Sequence, residues 1–185
     1  MEIHGYCDER FAAVREAFEK NFAERGDVGA SFAATVEGEY VVDIWAGHAD
    51  AARTRPWTED TIVNVYSTTK TMSFLCALVL ADRGELDLYA KVTDYWPEYG
   101  QNGKENTEVR HFMSHSAGVP GFSPAVTAEQ LYDWDGCVQN LAAQAPWWEP
   151  GSRSGYHAIT QGYLIGELVR RITGMSPGTF FAEEI

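Results

Sequence analysis

Apolar positions at helical and strand spacing divide this chain into a short series of elements. Phe11, Val14, Phe18 and Phe22 follow a three-four-four spacing, which predicts a first helix capped by Asp8 and ended near Gly26. Ser31 to Val36 and Tyr40 to Ala46 are β-prone runs joined by Glu37-Gly38-Glu39, the pattern of an antiparallel hairpin on which that helix is expected to pack. Two strands make a marginal sheet in water, and no further long strand is legible, so the sheet reads as unfinished. The apolar run Met72 to Ala81 predicts a buried helix over 67–83 with Gly84 as its stop. Val92 to Pro97 and the polar stretch 101–107 lack periodicity and are expected to be irregular. A short helix is expected over Glu108 to His115, and a second from Thr127 to about Ala143, broken by Trp147-Trp148-Glu149-Pro150-Gly151. A long helix from about Tyr156 would turn Ile159, Tyr163, Leu164, Leu168 and Ile172 toward a core and stop at Gly174. The expected division is an α/β part over 1–84 and a helical domain over 85–185.

Composition narrows the function classes. The chain of 185 residues is 45% hydrophobic and 22% charged, an ordinary globular balance. Its formal net charge of -13 argues against nucleic acid and anionic membrane as partners, since both attract basic patches. Cys7, Cys76 and Cys137 stand far apart at no metal-like spacing, so neither a disulfide framework nor a zinc site is expected. The first ten residues lack a basic segment followed by an apolar one; with the unpaired cysteines this predicts a cytoplasmic protein. No cofactor and no metal are expected.

The densest chemistry is Ser67-Thr68-Thr69-Lys70. On one helix face Ser67 and Lys70 would stand about 5 to 6 Å apart at Cβ. A serine hydroxyl needs a neighbour to take its proton, and a desolvated lysine is such a base. The helix start also favours negative charge developing on a substrate oxygen. Read alone, Ser67 is equally a helix cap. Ser114-His115-Ser116-Ala117-Gly118 is a near miss to the Gly-x-Ser-x-Gly elbow, with Ser114 in place of the first glycine and no strand before it, so Ser116 reads as structural. His111 and His115 lack carboxylate partners at ligand spacing and read as packing and hydrogen-bonding residues. Tyr66, Trp147 and Trp148 are the aromatic candidates to line an acyl pocket, with burial in the core as the alternative.

Taken together, Ser67-Thr68-Thr69-Lys70, the run from Arg110 to Pro120, Pro150-Gly151-Ser152 and Ser154-Gly155-Tyr156 resemble the serine β-lactamase superfamily in order and spacing. Within it the chain resembles the class C-like branch, and Gly155-Tyr156-His157-Ala158-Ile159-Thr160-Gln161-Gly162-Tyr163 resembles family VIII carboxylesterases. The resemblance implies a β-lactamase/transpeptidase-like α/β fold, an antiparallel sheet flanked by helices plus a helical domain. It implies Ser67 as the acylated nucleophile, Lys70 as the adjacent base and Tyr156 as the phenol that shuttles the proton. The implied substrate is a small carboxylic ester.

Two departures from the family pattern matter. Many β-lactamases carry asparagine two residues after this tyrosine; Ala158 cannot hydrogen-bond a substrate amide, which favours an esterase over a lactamase. No Lys-Thr-Gly or His-x-Gly tripeptide follows Tyr156, and the last residues look like mid-helix. The chain is therefore expected to be the N-terminal portion of a longer enzyme, with the rest of the α/β domain as its partner and little stability or activity alone. The alternatives are a β-lactamase, a D-amino-peptidase or acyltransferase, and a non-catalytic or filament-forming relative.

Overall fold

Alternation along β3 (Glu39–Gly47) sets Val42, Ile44 and Ala46 on one face, and all three are sealed from solvent. In this computed structural model, which describes residues 1–185, β3 is the middle strand of three. β1 (Ile3–Cys7) pairs antiparallel on one side, with Gly5 opposite Ile44; β2 (Gly29–Val36) pairs antiparallel on the other, with Phe32 opposite Ile44. α1 (Ala12–Glu24) covers the sheet with Val14, Phe18 and Phe22, joined by Phe11 just before it, as their spacing predicts. Asp8 accepts a hydrogen bond from the Arg10 N–H and caps the short 3-10 turn that leads into α1.

Two details differ from the expected hairpin. The loop is Glu37-Gly38 alone, because Val36 already pairs with Glu39; both loop residues have positive φ, the twist that matches a tight antiparallel turn. β1 is the strand absent from the pattern. Its centre is Gly5, with φ +90° and so close to the neighbouring strand that a Cβ there would lie 2.0 Å from the Asp43 carbonyl oxygen. A central glycine lowers strand propensity, yet here close approach requires it.

Met1–Asn64 and Val65–Ile185 are separate compact units. The boundary therefore falls before the Ser67 segment and not at residue 84. The reason is packing: α2 (Lys70–Asp82) buries Cys76, Ala77 and Leu80 in the helical core of the second unit. Around that core lie α3 (Val109–Met113), α4 (Trp134–Ala143), α5 (Thr160–Thr173) and α6 (Pro177–Glu184). α5 is its axis, touching α2, α3, α4 and α6. Leu164, Ile165, Leu168 and Val169 are buried on it, with Tyr163 and Ile172 at the margin. Gly174, at φ +75°, ends it.

Ile159, expected in the core, is 55% exposed, because α5 starts at Thr160 and not at Tyr156. The segment 92–107 is irregular but far from peripheral. Two 3-10 turns, Val92–Asp94 and Pro97–Tyr99, bring Val92, Trp96 and Tyr99 into the core. Lys104 is fully buried, its Nζ donating to the carbonyls of Gln101 and Ala142 at 3.0 Å each and to that of Gln144. This ammonium holds the C-terminal carbonyls of α4, where a cation is favoured.

Candidate active site

Tyr66–Thr69 forms a single 3-10 turn, and α2 begins at Lys70. Tyr66 enters that turn with φ +48°, a conformation uncommon for a bulky residue. The turn leaves Ser67 exposed, while Lys70 is half-buried one turn on and donates from Nζ to Ser67 Oγ at 3.2 Å. Tyr156 arrives from the segment before α5. Its phenol is held below the usual tyrosine range by hydrogen bonding to Ser67 and then to Lys70, with the Lys70 charge adding and burial opposing. Lys70 Nζ also lies 5.0 Å from the centre of the Tyr156 ring. A hydroxyl, an ammonium and a phenol thus meet, although Tyr156 is remote in sequence from the other two.

Ser67 and Lys70 open on a cleft of about 340 Å³ lined also by Tyr66, Thr69, Ser73, Ala158, Ile159 and Gly162. Its wall toward α5 is apolar and small, and a Cβ built at Gly162 would meet nothing within 4 Å. Of the three aromatic candidates, Tyr66 lines this cleft. Trp147 and Trp148 do not. The exposed Trp147 ring lies against Gly121, while Trp148 packs beneath Gly155 and edge-on to the His157 ring, 6.3 Å between centres. Both indoles are taken up in supporting the loops behind the site.

His115, read from sequence as a packing and hydrogen-bonding residue, does both here. Its backbone is left-handed, φ +59°, and its ring centre lies 4.7 Å from that of Tyr156. Its carbonyl accepts the Gly155 N–H at 3.0 Å, and its Nδ1 accepts the His157 N–H at 3.1 Å. Tyr156 is therefore flanked on both sides by backbone bonds to one residue. His157 extends the brace: fully buried, it accepts the Val119 N–H at Nε2, 3.2 Å, and its Nδ1 lies 2.6 Å from the Gly155 carbonyl oxygen. Burial, opposed by that carbonyl, pushes His157 down to about 4. Burial and then the Lys70 charge also lower His115. The His157 imidazole is therefore neutral at pH 7. The only signal for His115 in the sequence was its place within the run from Arg110 to Pro120.

This arrangement, a lysine and a tyrosine on one serine at the head of a buried helix, can be compared with known proteins. A family model described as Beta-lactamase matches residues 14–185. The chain belongs to that family. Within the Beta-lactamase family it is 40% identical over 183 residues to the Esterase/beta-lactamase LipL of Mycobacterium tuberculosis, covering 99% of this chain and 42% of that protein. The crystal structure of a family VIII carboxylesterase superposes with a TM-score of 0.91 at 49% identity, covering 100% of this chain and 51% of that one. A penicillin-binding protein homologue from Caulobacter crescentus gives a TM-score of 0.91 at 46% identity, covering 100% and 50%. The fold is accordingly the α/β β-lactamase/transpeptidase-like fold, and this Beta-lactamase chain spans about half the length of these relatives. No helix in it is long and apolar enough to cross a membrane.

Proposed function

We propose that the chain carries the nucleophile part of a serine carboxylesterase that cleaves small esters through an acyl-enzyme on Ser67. The observation that carries this reading is the contact of Ser67 with both Lys70 and Tyr156 at the mouth of the cleft. In the reaction the Tyr156 phenolate takes the proton of Ser67 as Oγ bonds to the ester carbonyl carbon, whose π pair moves onto the carbonyl oxygen. The Lys70 ammonium steadies the charge that gathers on the two oxygens. Collapse of the tetrahedral adduct breaks the bond to the alcohol oxygen, which takes the proton back from Tyr156. Water then attacks the acyl carbon, loses its proton to Tyr156 and returns Ser67 with its hydrogen restored.

Ala158 borders the cleft and offers no amide partner, which favours esters. The name LipL pairs esterase with β-lactamase, so β-lactam hydrolysis is the second reading. The oxyanion strand is assigned to further chain of the same protein, in keeping with relatives about twice as long. A cytoplasmic setting fits three free cysteines. The test is intact mass and peptide mapping of the full-length natural protein after a fluorophosphonate, with turnover of p-nitrophenyl acetate and a chromogenic cephalosporin alongside. The expected result is an adduct on Ser67 and ester turnover at least about tenfold above that of the cephalosporin. Faster cephalosporin turnover would select the second reading, and an unmodified Ser67 in folded protein would remove both.

A further inference from the structure

Tyr156 must be held while it exchanges protons, yet it lies outside any helix and its side chain is 55% exposed. One residue from another loop bonds the chain on both sides of it. His115 grips the peptide on either side of Tyr156, through its carbonyl to Gly155 and its Nδ1 to His157, and its ring lies against the phenol. We propose that His115 is a positioning residue for the reaction, holding the Tyr156 phenol on Ser67 and Lys70 through its unprotonated Nδ1. The inference rests on the reading of Ser67, Lys70 and Tyr156 given above.

The physical case has three parts. First, an acceptor at Nδ1 requires a lone pair there, so only the neutral ring makes the bond to the His157 N–H. Second, the left-handed backbone at His115 is costly for a side-chain-bearing residue and persists where surrounding contacts enforce it. Here it lets carbonyl and ring nitrogen of one residue reach the same strand of chain. Third, the titratable groups around the ring are Lys70 from α2 and Tyr156 and His157 from the segment before α5. A proton on His115 would add a cation beside Lys70 and remove the acceptor at once. Loss of the acceptor releases Tyr156.

The test uses the full-length natural protein with His115→Gly and His115→Asn. Glycine accepts the left-handed backbone and removes ring and acceptor. Asparagine also tolerates that backbone, and its Oδ1 replaces Nδ1 without titrating. With p-nitrophenyl acetate, His115→Gly is expected to lose about 10- to 100-fold in kcat with KM nearly unchanged, while His115→Asn recovers most of the loss. The acid limb of the wild-type profile should shift in His115→Asn. A second readout needs no turnover: NMR titration of 13Cζ-labelled tyrosine, with Tyr156→Phe assigning the signal. The Tyr156 phenol should titrate higher in His115→Gly than in wild type, and stay near wild type in His115→Asn. Wild-type behaviour of His115→Gly in both readouts, or a folded His115→Asn as impaired as His115→Gly, overturns the proposal. If esters are not turned over but the Tyr156 titration follows residue 115, the esterase reading fails and the positioning role stands.

Discussion

In the proposed reaction Ser67, Lys70 and Tyr156 divide the work by what each atom can do. Lys70 donates to Ser67 Oγ, so the serine hydrogen is free to face the phenol, and the phenol is the group whose acidity the site has raised. Tyr156→Phe keeps the ring against His115 and deletes only the oxygen. It is expected to lower kcat/KM for p-nitrophenyl acetate by about 10²- to 10⁴-fold and to slow fluorophosphonate labelling of Ser67, with the thermal midpoint little changed. The contact between the first two was legible because a spacing of three positions at a helix start is a spatial statement. Tyr156 was legible only through several motifs read together. The partners of His115 were not, because they depend on a left-handed backbone and on a hydrogen bond across 42 positions, neither of which leaves a local pattern.

Among the elements, periodicity found α1, the β2–β3 hairpin, α2, α4 and α5, each of which carries a regular apolar face. It failed where another force sets the conformation. β1 is held by pairing around Gly5, and α5 starts only at Thr160, after Gly155 and His157 have bonded to His115. The 101–107 stretch read as polar and irregular, yet its Lys104 is the group that ties it to α4. Lys104→Met would fill similar volume and leave three carbonyls without this donor. A loss of about 2–4 kcal/mol is expected, seen as a lower urea midpoint. An unchanged midpoint would mean that water replaces the ammonium there.

For the molecule as a whole, acid is the condition that should separate the folded chain from the unfolded one. His157 titrates near 4 when folded against an ordinary 6.5, so between those values the unfolded chain binds a proton that the fold refuses. Stability from this source is complete above about pH 6.5 and is lost as pH falls through 6.5 toward 4, by up to about 3 kcal/mol. Asp50, held down to about 2 chiefly by the Thr54 N–H and hydroxyl and by Arg55, acts in a separate and lower window. Thermal midpoints should therefore drop between pH 7 and pH 4.5, and His157→Gln, though less stable at pH 7, should show a flatter profile. An equal slope in both proteins would assign the acid sensitivity elsewhere.

The empty space above Gly162 has a consequence for engineering. A glycine within α5 lowers helix stability by about 0.5–1 kcal/mol relative to alanine, and a methyl group at this position would collide with nothing. Gly162→Ala is thus expected to raise the thermal midpoint and, in the same step, to shift the preference among p-nitrophenyl esters toward shorter acyl chains. Sturdiness and selectivity would then be adjusted by one small side chain, where most enzymes force a choice between them.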